Sequence, residues 1–213
     1  MTTITQRESE VRWDDVLEGT PAQVWEAITV RSDGWLWPIT YEPHVGGAER
    51  GLTGSGGVVT AWAPEQRFAT RAQRPDGWWN EVSFDLEPAG ERTRVRFLHR
   101  TILTPLEYEQ CVEHTDVYRQ TLGAYVAHFA GREPRYETRE TATPFAEVAR
   151  RLADHPQDGT VVDYRAPHFL GLRTPSELVR VFGRDAWGDP VEIVRHRFDA
   201  GAPSWLDAVI ADA

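Results

Sequence analysis

The chain has 213 residues, of which 40% are apolar and 26% charged. That is the balance of a soluble globular protein with one large domain or one domain and an extension. The net charge is −10, and all 23 basic residues are Arg. The acidic balance argues against phosphate-backbone binding, and the lack of Lys excludes Schiff-base chemistry, a pyridoxal-phosphate anchor and a P-loop lysine. Cys111 is the single cysteine, so no intrachain disulfide can form, which fits a reducing cytoplasm. No apolar run approaches the roughly 18 residues of a membrane span, and the first residues lack a signal-peptide core.

Residues 10–18 are a plausible first strand. A helix follows over Pro21–Val30. Thr20, Pro21 and Gln23 supply an N-cap, an N1 proline and an N3 partner, which together make a capping box. Trp35, Leu36, Trp37 and Ile39 form an aromatic stretch, as a short helix or a turn. Gly46-Gly47, Gly54 and Gly56-Gly57 then punctuate short strands and tight turns.

From Val58 a two-residue period improves. Residues 80–86 and 93–99 alternate around a turn at Pro88–Glu91 and predict a hairpin. One face holds Val82, Phe84, Leu86, Val95, Phe97 and His99, whereas Arg94 and Arg96 lie on the other. Trp78 shares the inward parity and Trp79 does not. A second box, Thr104-Pro105-Leu106-Glu107, opens a long helix to about Ala130. Cys111, His114, Tyr118, Leu122, Tyr125 and Phe129 form its inward stripe.

Residues 133–142 are polar and read as a linker. Beyond it, 143–213 predicts a helix from Thr143-Pro144 to about Ala153 and a loop at His155–Gly159. Strands are expected at Val161–Tyr164, Phe169–Leu172 and Val191–Phe198. A third capping box at Thr174-Pro175-Ser176-Glu177 implies a further helix, and Ser204–Ala211 a closing one. This extension either packs on the first domain or forms a small α+β unit.

The succession Gly19–Trp25, Gly46-Gly47, Ala63–Phe68, Glu81–Leu86 and Thr93–His99, with Tyr118 before Leu122, resembles the SRPBCC superfamily. This is the START or birch-pollen-allergen-like fold, and the nearest branch is the heat-shock-protein ATPase activator homologue type. The resemblance covers residues 1–132. It implies an α+β helix-grip fold, in which a curved antiparallel sheet wraps a long C-terminal helix, and the tail after Arg132 resembles an extension of some bacterial members. It also implies a cavity for a small hydrophobic or aromatic ligand, and some relatives are polyketide cyclases and aromatases. The branch name does not imply chaperone activation, because fold-level similarity does not carry a partner surface. One departure is Val117-Tyr118, where the late helix of the family usually carries Gly-Trp.

The expected ligand walls are Trp78, Val82, Phe84, Val95, Phe97 and His99 from the sheet, with His114, Tyr118, Leu122 and Tyr125 from the helix. His99, His114 and Tyr118 are the weak catalytic candidates, since each can exchange a proton. His99 reads more readily as a structural histidine than as a functional one, and the tryptophans more readily as core than as ligand contacts. Cys111-x-x-His114 lacks the further ligands of a metal site, and no metal or cofactor is expected. The glycine-rich 51–57 segment matches no phosphate-binding fingerprint. The leading expectation is a cytoplasmic binding protein for a small hydrophobic molecule, with a homodimer as a candidate assembly. The alternatives are a polyketide cyclase or dehydratase-type lyase using the same cavity, and a protein-interaction module acting through 143–213.

Overall fold

Residues 5–154, 156 and 158–199 are described by a computed structural model. The chain divides into two units. The first holds residues 1–32 and 36–131, and the second holds Asp33–Trp35 with 132–213.

The first unit is an antiparallel sheet of seven strands in the order β1-β7-β6-β5-β4-β3-β2. They are β1 (Arg7–Leu17), β2 (Thr40–Tyr41), β3 (Ala48–Arg50), β4 (Gly57–Ala63), β5 (Arg67–Gln73), β6 (Trp79–Ala89) and β7 (Arg92–Leu103). The expected hairpin is β6–β7, with Phe84 opposite Phe97 and Val82 opposite His99. Both predicted caps form. Thr20 Oγ1 accepts from Gln23 N–H at the start of α1 (Pro21–Thr29), and Thr104 Oγ1 accepts from Glu107 N–H at the start of α2 (Pro105–Phe129). The N3 side chains return the bond at 2.9 and 2.7 Å. Together the sheet and the long helix make an α+β helix-grip fold.

Strand pairing sorts the side chains of this sheet into cross-strand rows. One row runs Trp13, Phe97, Phe84, Phe68, Trp62. It is aromatic throughout, with Trp13 stacked on Phe97 at 5.4 Å and Phe97 against Phe84 at 5.0 Å. Val11, His99, Val82, Thr70 and Val59 form the next row, and Thr101, Asn80 and Ala72 the one after. These residues share the inner face, where Val82, Phe84, Leu86 and Val95 are buried. The outer face is ionic: Arg94 holds Asp14 through two bonds of 2.8 Å, and Arg96 pairs with Glu87. Helix α2 packs chiefly on β1 and α1, and also on β7. Gly19 lets it approach, since a Cβ there would stand 2.4 Å from Val126 Cγ1.

The second unit corrects two expectations. Arg135–Thr141, expected as linker, is a strand (β8), paired along its length with β12 (Val191–Arg197). Glu177–Phe182, expected as helix, is a strand too (β11), paired with β10 (Phe169–Arg173) and β12. Thr174 Oγ1 does accept from Glu177 N–H at 3.1 Å, as an N-cap would. The bond instead closes a hairpin, completed by Thr174 N–H to Glu177 O at 3.0 Å. All six side chains of β11 are buried, and a segment covered on both faces favours a strand of Leu, Val and Phe over a one-sided helix.

With β9 (Val161–Ala166), the sheet order is β8-β12-β11-β10-β9. The predicted helix at 143–153 is α3 (Phe145–Asp154), whose Val148 and Leu152 pack on Leu170, Leu172, Val179, Val181, Val191 and Ile193. Register slips by one residue at Gly171/Leu172, leaving Asp163 between the paired residues Val162 and Tyr164. Asp163 takes two bonds, 3.0 and 2.9 Å, from the fully buried Arg180. Gly171 makes room, since a Cβ there would lie 3.0 Å from the Arg180 guanidinium. The closing helix expected at Ser204–Ala211 lies outside the described residues.

Candidate functional site

His99 anchors the site. It stands on the inner face of β7, in register with Val82. Its Nε2 lies 2.5 Å from Asn80 Oδ1 on β6, and its Nδ1 lies 3.3 Å from Cys111 Sγ on α2. Asn80 Oδ1 can only accept, so Nε2 carries the proton and Nδ1 is left to accept from the thiol. Burial lowers the imidazole pKa to about 4 and raises that of the Cys111 thiol. The cluster is therefore uncharged at neutral pH. Its hydrogen bonds tie the long helix to the sheet.

A second polar group comes from β3. Glu49 is buried, and its Oε1 accepts from Leu52 N–H at 2.7 Å. Its Oε2 is buried without a hydrogen-bond partner among the described residues. That oxygen lies directly over Gly57, where a Cβ would stand only 2.6 Å away. Burial raises the Glu49 pKa, and its charge in turn helps burial to raise that of Tyr41, which is opposite it on β2. Thr70 on β5, in the row of His99 and Val82, is also buried, with Oγ1 unpartnered among the described residues. Strand spacing puts Glu49 and Asn80, three strands apart, roughly 14 Å from each other along the sheet.

The expected wall residues are distributed unevenly. Val82, Phe84 and Val95 are buried on the inner face, and Phe97 is half-buried beneath Trp13. Leu122 and Tyr125 are fully buried in α2. Tyr118 is half-buried with its ring 5.6 Å from that of Trp37, and Val117 is buried beside it. His114 sits 6.2 Å from Tyr118, and its Nδ1 is bonded to its own helix at Gln110 O, 2.8 Å. Trp78 is placed differently: it precedes β6, in the turn, with the Arg74 guanidinium 4.5 Å from its ring. Strand parity does not govern a turn residue. Trp79 has outward parity, between Arg71 and Arg100. Cys111 meets His99 and not His114, so the Cys-x-x-His spacing has no structural counterpart.

Glu49, Thr70, Asn80 and the Cys111–His99 contact were missed in the sequence. Asn80 was accessible, because it has the parity of Val82 and Phe84. Glu49 sits on a three-residue strand among glycines, too short for any period to show.

The second unit has a cleft of about 420 Å³ lined by Glu133, Pro134, Arg135, Arg197, Phe198 and Asp199. Arg197 there is already bonded to Glu137. Its lining is of mixed charge and exposes little apolar surface, so the first unit is the stronger candidate.

The sequence model of the family described as activator of Hsp90 ATPase homolog 1-like protein matches residues 18–129, just over half of the chain. The chain belongs to this family. The match ends where α2 ends, so the family's domain is the helix-grip unit carrying His99 and Glu49. Similar solved structures include CalU16 from Micromonospora echinospora, 15% identical over 58% of this chain and 87% of that one, with a TM-score of 0.47. Another is the Aha1 dimer from Colwellia psychrerythraea, 21% identical over 56% and 96%, TM-score 0.46. A third is MLL2253 from Mesorhizobium loti, 21% identical over 55% and 95%, TM-score 0.45. No match was found among curated proteins. Among the described residues, no helix is long and apolar enough to cross a membrane.

Proposed function

We propose that this member of the activator of Hsp90 ATPase homolog 1-like family binds a small hydrophobic, aromatic molecule between the inner face of the first sheet and α2. The observation that carries this reading is the pairing of apolar rows with two buried polar atoms, Glu49 Oε2 and Thr70 Oγ1, that have no hydrogen-bond partner among the described residues. Buried polar atoms are almost always satisfied, and a ligand on the inner face would satisfy these. Phe84, Phe97 and Val82 supply the apolar contact, with Tyr118 and Trp37 at the helix side. A cytoplasmic location belongs to the same reading, on the ground of the single buried-type thiol.

The site favours binding over acid–base catalysis. A histidine with its pKa near 4 and both nitrogens engaged is a weak base at neutral pH, whereas an effective general base titrates near the working pH. Native mass spectrometry of the freshly purified protein tests the reading. A retained or added aromatic ligand is expected at one per chain. Failure of any small aromatic molecule to bind at millimolar concentration would overturn it.

A further inference from the structure

We propose that the β3–β5 end of the inner face is an amine-recognition subsite, where the Glu49 carboxylate and the Thr70 hydroxyl receive a protonated amino group of a small aromatic ligand. This rests on the binding role proposed above and names the ligand class.

The register of the sheet makes the argument. Glu49 is opposite Gly57, and Ala72 is opposite Asn80. Val58 pairs with Arg71, so Gly57 and Ala72 are the next neighbours across β4 and β5. The row from Glu49 to Asn80 therefore crosses the two smallest side chains available. A carboxylate stands at one end, and at the other an amide already committed to His99. Glu49 Oε2 leans over Gly57, in the space a side chain there would fill. Thr70 lies one row further in, on β5, and its hydroxyl too has no hydrogen-bond partner among the described residues.

The charge decides the class. The loop amides of Leu52 and Thr53 face the Glu49 carboxylate, with Leu52 N–H bonded to Oε1. Oε2 has no hydrogen-bond partner, and no cationic side chain pairs with Glu49, among the described residues. A buried carboxylate without a counter-charge is costly, and the charge is normally either paired or neutralised. The chain has no Lys, and the arginines of β5 and β7 lie on the outer face in ion pairs or against Trp79. A cation carried by the ligand would supply the counter-charge that the neighbouring strands do not. An ammonium offers three donors, enough for both Glu49 Oε2 and Thr70 Oγ1. Tyr41 is beside Glu49 in register, with its ring 4.7 Å from Phe68, so the carboxylate borders aromatic faces that also favour cations. The raised pKa of Glu49 follows from the same burial, and a bound cation would reverse it.

The test uses the full chain and three probes that differ in one group: tryptamine, tryptophol and 3-ethylindole, titrated by calorimetry at pH 7.5. On the unmodified protein tryptamine is expected to bind on the order of 10–100-fold tighter than the other two, the range of a charge-assisted hydrogen bond. In Glu49→Gln that preference is expected to vanish, with a circular-dichroism spectrum and a cooperative thermal melt like those of the unmodified protein reporting that the variant is folded. Thr70→Val, which leaves the carboxylate in place, is expected to reduce the preference without abolishing it. Equal affinity for all three probes on the unmodified protein overturns the amine subsite and leaves the binding role standing. Binding of none of them overturns both.

Discussion

The Asn80 carboxamide sets the tautomer of His99. Its Oδ1, 2.5 Å from Nε2, accepts the one N–H of the neutral ring and turns Nδ1 toward Cys111. Two strands and the long helix meet in that chain of contacts. Replacing Asn80 with Leu removes the acceptor and leaves a buried N–H unmet, which costs about 1–3 kcal/mol. Urea unfolding of Asn80→Leu should show that loss. In the unmodified protein, the ¹⁵N shifts of His99 should report an Nε2–H tautomer at pH 7.

Acidification should destabilise the protein through its buried histidines. His99 is held near pKa 4 and His196 near 3, against an ordinary value of 6.5, in both cases mainly by burial. The unfolded chain therefore binds more protons between pH 6.5 and these values, and stability falls as pH drops through that window. A pH series of thermal melts should show melting temperature declining below pH 6.5. In His99→Phe the part of this slope belonging to the first unit should be flatter.

Cys111 should be a slow nucleophile. Burial raises its thiol pKa, and the neutral His99 offers no cation to draw out a thiolate. Reaction with Ellman's reagent at pH 7.5 should be at least 10-fold slower than for the guanidinium-unfolded chain, since thiolate fraction and access both limit the rate. A fast reaction in the folded state would contradict the assigned tautomer.

In the second unit, Asp163 faces the fully buried Arg180 guanidinium in bidentate geometry. Asp163→Asn should cost about 3–5 kcal/mol by removing the charge of that buried pair. The double replacement Asp163→Asn with Arg180→Met should recover part of the loss. Chemical denaturation with a double-mutant cycle checks both.

Much of the first unit was legible because its signals are local. The caps at Thr20 and Thr104 depend on residues three apart, and the β6–β7 hairpin on alternation over seven. The same local rule failed at Thr174, where the hydroxyl makes the bond of a cap but the following Glu177–Phe182 is buried on both faces. Arg135–Thr141 is polar because its side chains are largely exposed, not because it lacks a partner strand. The polar parts of the site were harder. Cys111 meets His99 only through the docking of α2, and Asp163 meets Arg180 only through a bulge. Glu49 becomes notable only once its burial is known.

Gly19 separates packing from propensity. Gly19→Ala should destabilise by about 1–3 kcal/mol through the clash with Val126, and Val126→Ala should relieve it.

The most direct measurement is a methyl and aromatic NMR titration of the unmodified protein with 3-ethylindole. Saturable shift changes centred on Val82, Phe84, Val95 and Phe97, with Tyr118 on the helix, are the expected result. Changes confined to the outer face or to residues 132–199, or none at millimolar probe, would contradict a ligand site between the sheet and α2.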